Sequence, residues 1–289
     1  MNIPTILAAS KPSDIFDLSN WKTQFRDWAK HLHPDRNPDP QAKPALEILL
    51  KFRDILETGI VFSDEICPKI TFKDNVLTFT GDPDKLKLSY DNFQRALNCC
   101  ATIPTFQRYL PERMELSPDL TLKVYLRHQS NLIQDLVLEE KHVKWFLNRL
   151  LEFTSMLNIY GGFTHCGINP NSVLICPEEH GIQVISFYHQ ISVNDKMKSA
   201  IGNHPYKGWY PDEIWTTKKS CPEIDLFMCK NTAVTLLGDK TGFGHSLRGK
   251  ISNDLLEFLL QHDDTIHTGY MNYQTFLDKS PRVFHKLTL

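Results

Sequence analysis

The sequence predicts a multidomain chain of α and α+β type, with an N-terminal helical hairpin over residues 1–62 and a two-lobed α+β domain over residues 63–289. Two amphipathic stretches joined by a proline-rich loop predict the hairpin. Short strand-like segments in residues 69–128 predict a first lobe, and long helical stretches in residues 129–289 predict a second. Strands first and helices after are typical of α+β domains.

The composition is that of an ordinary globular protein, with 41% hydrophobic and 23% charged residues. A formal net charge of −2 gives no general basic surface, so no nucleic-acid partner is expected. No apolar run approaches the ~18 residues of a membrane span, and no basic segment precedes the short apolar N-terminus, so neither a membrane partner nor a signal peptide is predicted. Seven cysteines without paired spacing indicate a reducing, cytoplasmic setting, and no metal or other cofactor is predicted.

The helical hairpin is predicted from two apolar stripes. The first helix is expected from about Asn20 to Leu32, with Ser19 as its N-cap. One face of this helix is apolar and carries Trp21, Phe25, Trp28 and Leu32. A second face is basic and carries Lys22, Arg26 and Lys30. A loop with three prolines follows. The second helix is expected to begin near Pro44 and to end at Gly59, and the two stripes should pack as an antiparallel pair.

The string FRDWAKHLHPDRNPD closely resembles the second helix and loop of J domains, the module through which co-chaperones activate seventy-kilodalton heat-shock ATPases. The resemblance covers roughly residues 1–62, although the first family helix is poorly matched. It implies that the triplet His33, Pro34 and Asp35 switches the chaperone. It also implies that the basic face docks on an acidic chaperone surface, with Arg36 following the family pattern. A basic face of this kind would mainly raise the rate of association.

The larger domain is predicted to begin with short strands separated by turn residues and to continue with helices. The expected strands are 69–72, 75–81, 85–90 and 121–127, followed by a hairpin formed by 172–176 and 181–187. The expected helices are 91–100 and 139–159, with a largely helical remainder.

Parts of this domain resemble protein kinases. GGFTHCGINPNSVLI and VISFYH are similar to the catalytic loop, the next strand and the metal loop, with His165 at a family position. Pro211-Asp212-Glu213 resembles the end of the activation segment. The segment after Glu223 resembles the following core helix, with Asp225 at its aspartate, and 255–264 resembles a late helix. The resemblance implies a two-lobed protein-kinase-like fold, and the aminoglycoside-type phosphotransferases share this loop layout.

The departures from the kinase pattern remove its chemistry. Gly167 stands at the catalytic aspartate, Asn169 at the loop lysine, Ser172 at the metal-binding asparagine and Ser186 at the metal-binding aspartate. Phosphoryl transfer depends on positioning and on charge neutralisation by metal and lysine. The sequence therefore predicts a pseudokinase, a kinase-like domain without catalytic residues or a metal site, which binds an unidentified client or partner protein.

Two other functions remain open at this point. An atypical phosphotransferase or nucleotide-binding regulator could use displaced residues such as Asp195 or Asp212, although neither Gly167 nor Ser186 has an acidic neighbour within three positions. The chain could also be an interaction scaffold whose His-Pro-Asp loop has no chaperone activity.

Overall fold

The computed structural model describes residues 2–101, 103–119, 121–202, 205–261, 265–279 and 286–289. The chain divides into two compact units, one formed by residues 1–62 together with 71–74, the other by residues 63–70 together with 75–289. The mixed helical and antiparallel character predicted from the sequence is confirmed. No helix in the described ranges has both the length and the apolar character needed to cross a membrane.

The smaller unit is built from helices that enclose a small apolar core. Its helices are α1 (Ile3–Ala8), α2 (Trp21–Leu32) and α3 (Ala42–Thr58), and strand β1 (Ile60–Phe62) lies beside β2 (Lys69–Lys73). The core contains Ile6, Phe16, Leu32, Ala42, Ala45, Leu49 and Phe52. Both predicted helices are therefore present. Their identity as part of a J domain stays a prediction.

The helix ends of this unit follow local chemistry. Gly59 closes α3 as predicted, with φ of +86° and its N–H donating to Ile55 O. A Cβ at Gly59 would lie 2.6 Å from Phe72 O, so glycine is required there. The predicted N-cap Ser19 is wrong. Asn20 occupies the cap position of α2, while the Ser19 N–H and hydroxyl both donate to Asp17 Oδ1.

The first part of the larger unit combines an antiparallel sheet with one helix. Strand β5 (Thr121–Tyr125) pairs with β3 (Val76–Thr80) on one side and with β4 (Arg113–Leu116) on the other. Val124 of β5 lies opposite Leu77 of β3 on one side and opposite Met114 of β4 on the other, and all three side chains are buried. Helix α4 (Pro83–Cys100) lies between β3 and β4 in the sequence.

One predicted strand is wrong, because residues 85–90 belong to α4. The alternation in KLKLSY is overruled by a strong helix start. Asp82 is the N-cap and accepts hydrogen bonds from the N–H groups of Asp84 and Lys85, with Pro83 in the first turn. The buried residues of α4 then recur at helical spacing, namely Leu86, Ser89, Asn92, Phe93, Ala96 and Cys100.

The second part of the larger unit is mainly helical. It contains β6 (Asn131–Leu132), α5 (Glu140–Gly161), β7 (Phe163–Thr164), β8 (Val173–Cys176), β9 (Gly181–Val184), β10 (Ile191–Ser192), α6 (Asp212–Thr217), α7 (Pro222–Leu236), α8 (Asn253–Leu260) and α9 (Ile266–Asp278). The predicted long helix and strand hairpin are confirmed as α5 and β8–β9. Helix α7 is buried nearly all round and packs on α5 and α9. Residues 262–264 of the predicted late helix lie outside the described residues.

Candidate functional site

The His-Pro-Asp turn of the smaller unit is held by its own hydrogen bonds. The N–H groups of Arg36 and Asn37 donate to His33 O at 2.9 and 3.0 Å, and the Asp35 N–H donates to His33 Nδ1 at 3.3 Å. Asn37 Nδ2 also donates to His31 O at 3.1 Å. The His33 and Asp35 side chains are 54% and 85% exposed, so a fixed turn presents them to solvent.

The basic face of α2 is exposed along its length. Lys22, Arg26 and Lys30 are exposed, as are Pro34 and Arg36 in the turn that follows. Within the described part of the chain, Lys22, Arg26 and Lys30 form no ion pair with an acidic side chain. Their charges are therefore available to an acidic partner surface.

In the larger unit, Asp225 holds the loop that follows β7. Its carboxylate oxygens accept hydrogen bonds from the N–H groups of His165 and Cys166, both at 2.8 Å. Burial raises the pKa of Asp225 to about 7, against the lowering effect of these two donors. His165 Nε2 donates to Ser186 O at 2.9 Å, and burial lowers the pKa of His165 to about 3. The imidazole is therefore neutral, and it joins the loop to the segment after β9.

The Asn169 and Ser172 side chains bond mainly to groups of the loop itself. The Asn169 N–H donates to Ser172 Oγ at 2.9 Å, and that hydroxyl donates to Asn169 O at 3.0 Å. Asn169 Nδ2 donates to Gly167 O, while its Oδ1 accepts from the Asn171 N–H. Ser186 is 3% exposed. These side chains stabilise the loop and do not face an open site.

No side chain fits at Gly167. A Cβ placed there would lie 2.7 Å from His189 Cδ2, closer than real Cβ contacts come. The imidazole of His189 thus fills the space into which a side chain at position 167 would project. The sequence analysis did not single out His189, which the structure brings against Gly167.

A carboxylate that the sequence analysis missed, that of Glu65, reaches this region, and the Asp64 carboxylate lies next to it in the chain. Glu65 Oε1 lies 3.4 Å from His189 Nε2 and 3.4 Å from Asn169 Nδ2, and the Glu65 and His189 side chains are 3% and 2% exposed. Asp64 Oδ1 accepts hydrogen bonds from the N–H groups of Ile66 and Cys67. The segment that carries both carboxylates therefore packs against the degenerate loop, and no local motif signals this contact.

The Asp64 carboxylate makes stability depend on pH. Burial raises its pKa to about 7, the Glu65 charge acts in the same direction, and the two backbone donors oppose them. Because this pKa exceeds the unfolded value of about 3.9, the folded state binds the proton more tightly between pH 4 and 7. The free energy of unfolding should therefore fall as pH rises through that window.

Asp64→Asn tests this expectation, because the amide keeps the accepting oxygen and cannot ionise. Near pH 4 the variant should match the wild type, and at pH 8 it should be more stable by at least about 1.4 kcal/mol, the value of one pKa unit. Urea unfolding at the two pH values measures the difference. Asp119→Asn is the matched control, since its exposed carboxylate also accepts from a backbone N–H two residues on. Equal or lower stability of Asp64→Asn at pH 8 would refute the assignment.

In the described ranges, no group of three or more His, Cys, Asp or Glu side chains converges in a way that could hold a metal ion. No protein-family model and no curated protein matches the chain. Two solved kinase structures are similar to it. Vaccinia related kinase 3 is 15% identical, with 77% of this chain and 92% of that chain covered and a TM-score of 0.47. The ROP18 kinase domain in complex with AMP-PNP and sucrose is 12% identical, with coverage of 69% and 72% and a TM-score of 0.46.

Proposed function

We propose that this protein recruits and stimulates a chaperone of the heat-shock protein 70 class, and that its larger unit is a catalytically inactive kinase-like domain that binds a client or partner protein. The observation that carries the proposal is the exposed turn of His33, Pro34 and Asp35 between two packed helices, next to an exposed basic face. An intrinsically held turn and free positive charge suit a docking element for an acidic partner.

The inactive character of the larger unit is supported by what occupies the degenerate positions. The space beside Gly167 is filled by His189, and Ser172 and Asn169 bond to each other. Ser186 is buried and offers no carboxylate. A domain with these residues has neither the base nor the carboxylate on which phosphoryl transfer relies. Binding without chemistry is the function that remains.

An atypical phosphotransferase is the second candidate, and Glu65 is the observation that favours it. This carboxylate lies near Asn169 and His189, so an acidic group does reach the loop from a distant segment. However, the Glu65 side chain is only 3% exposed, and its Oε1 already lies 3.4 Å from both His189 Nε2 and Asn169 Nδ2. A buried carboxylate in this position suits loop stabilisation better than contact with a nucleotide.

Gly167→Asp tests whether the larger unit is a kinase that lacks only its catalytic base. If the domain were a kinase that lacks only its base, the new carboxylate should create phosphoryl transfer. We expect no transfer, and a loss of about 1–3 kcal/mol in unfolding free energy, because the side chain collides with His189. Radiolabelled ATP and urea unfolding measure the two effects. Gly202→Asp is the control, since nothing lies within 4 Å of a Cβ there. Acquired transfer in the Gly167 variant would overturn the inactive assignment.

Reversing the basic face tests chaperone docking. Changing Lys22, Arg26 and Lys30 together to glutamate should slow association with the chaperone at least about tenfold, because surface charge steers encounter. Single changes should be mild, since an exposed pair contributes only about 0.2–1 kcal/mol. Stopped-flow association at rising salt measures the effect. The control carries the same charge change at three other exposed lysines, Lys43, Lys51 and Lys69. Equal slowing in both variants would mean that only net charge matters.

A further inference from the structure

The larger unit contains a cavity that the proposed function does not use. It has a volume of about 390 Å³ and lies between α4 and the segment from Tyr188 to Ser199. This volume is at the lower end of the range for small-ligand pockets. His189, Gln190, Ser192 and Ser199 line the cavity, whereas no residue of 165–172 does.

The charge of the lining is strongly positive. Arg95, Lys196 and Lys198 line the cavity, and Asp195 is the one acidic residue among the lining residues. Within the described part of the chain, none of these four side chains takes part in an ion pair. Three cations facing one cavity repel each other in the absence of a ligand, so an anion would be favoured there.

A fourth cation, Lys85, contacts a residue that lines the cavity. Lys85 Nζ donates to Ser199 Oγ at 3.3 Å, and Ser199 Oγ also lies 2.9 Å from His189 Nδ1. Arg95, Lys196 and Lys198 thus line the cavity against a single aspartate, and behind the lining Lys85 contacts Ser199 while Glu65 contacts His189.

Both walls of the cavity are fixed before any ligand arrives. On the α4 side, Asn92 Nδ2 donates to the carbonyl oxygens of Phe187 and Gln190, and Gln190 Nε2 donates back to Asn92 O. On the other side, backbone hydrogen bonds join Asp195 to Ser220 and Met197 to Lys218. A site whose backbone is already ordered binds with a smaller entropy cost.

We propose that this cavity binds a phosphate monoester, presented on a phosphorylated side chain of a partner protein. Arg95 supplies the planar fork that binds phosphate oxygens in pairs, and the lysines supply point charges. An extended polyanion such as nucleic acid is not favoured, because three cations around one cavity neutralise few phosphates and the whole chain carries a net charge of −2. The proposal does not depend on chaperone recruitment.

Fluorescence anisotropy with the full chain tests the proposal. The probes are a labelled glycine pentapeptide with a central phosphoserine, its unphosphorylated counterpart, and inorganic phosphate as competitor, all at one ionic strength. The wild type should bind the phosphopeptide at least about tenfold more tightly than the unphosphorylated peptide. Arg95→Glu with Lys198→Glu should lose that difference. Since both residues are exposed, the variant should fold, and Arg95→Gln with Lys198→Gln provides a milder second pair.

The matched control is Arg248→Glu with Lys250→Glu, which makes the same charge change at exposed residues outside the cavity and should bind like the wild type. Equal affinity for the two peptides would overturn the site. So would equal loss in the cavity and control variants, because this would reduce the effect to net charge. If inorganic phosphate bound as tightly as the phosphopeptide, the cavity would be a site for free phosphate, and the assignment of a partner protein as ligand would fail.

Discussion

Replacing His33 with glutamine is expected to abolish stimulation of a seventy-kilodalton heat-shock ATPase while weak docking survives. The His33 side chain is 54% exposed, and its Nδ1 accepts the Asp35 N–H within the turn. Glutamine removes the ring from this position without disturbing a buried contact, so the fold should be retained. The basic face remains and should still attract the chaperone. Steady-state ATPase rates and an association assay measure the two effects.

His31→Gln is the matched control, because this exposed histidine lies two positions before His33, in the last turn of α2, and its side chain makes no hydrogen bond within the turn. It should stimulate like the wild type. Loss of stimulation in both variants would point to damage to α2. If His33→Gln stimulated normally, the chaperone assignment would fail, and an interaction scaffold without chaperone activity would become the better description.

Replacing Asp225 with alanine is expected to have the largest effect on stability. Its carboxylate accepts the buried N–H groups of His165 and Cys166, and removal leaves both donors without a partner. A buried unsatisfied donor costs about 1–3 kcal/mol, so the free energy of unfolding should fall by about 2–6 kcal/mol. Urea unfolding followed by circular dichroism measures the loss.

The matched control is Asp254→Ala, which removes an exposed carboxylate from the first turn of α8. It should cost only about 0.3–1 kcal/mol, the contribution of a charge at a helix N-terminus. A loss at Asp225 no larger than this would mean that its charge acts only on the dipole of α7. The two hydrogen bonds to the loop would then have little net value.

The elements that sequence patterns predicted well are those whose own residues decide their structure. Helices α3 and α5 show their apolar faces directly, and both end at a glycine with positive φ, Gly59 and Gly162. The wrong strand at 85–90 has a short alternating pattern that fits a strand as well as the start of α4. Residues 82–84, which include the Asp82 N-cap and Pro83 in the first turn, favour the helix over the strand.

The candidate site was predictable only in part. The loop from His165 to Ser172 could be located because its residues are close in sequence. The acidic group near it could not, because Glu65 meets Asn169 across 104 positions. Within three positions of Gly167, no residue of the sequence carries a carboxylate. Contacts of this kind depend on how segments pack, which periodicity and spacing do not encode.

The interleaved division of the chain has a consequence for protein synthesis. The smaller unit comprises residues 1–62 together with 71–74, while residues 63–70 belong to the other unit. A ribosome releases these segments in sequence order, so β2 is available to β1 only after the six residues between the two strands, 63–68, have emerged. The helices can form earlier, since their contacts are local. A nascent chain that has emerged from the ribosome only as far as residue 62 should thus expose β1 as an unpaired strand, a target for other strands.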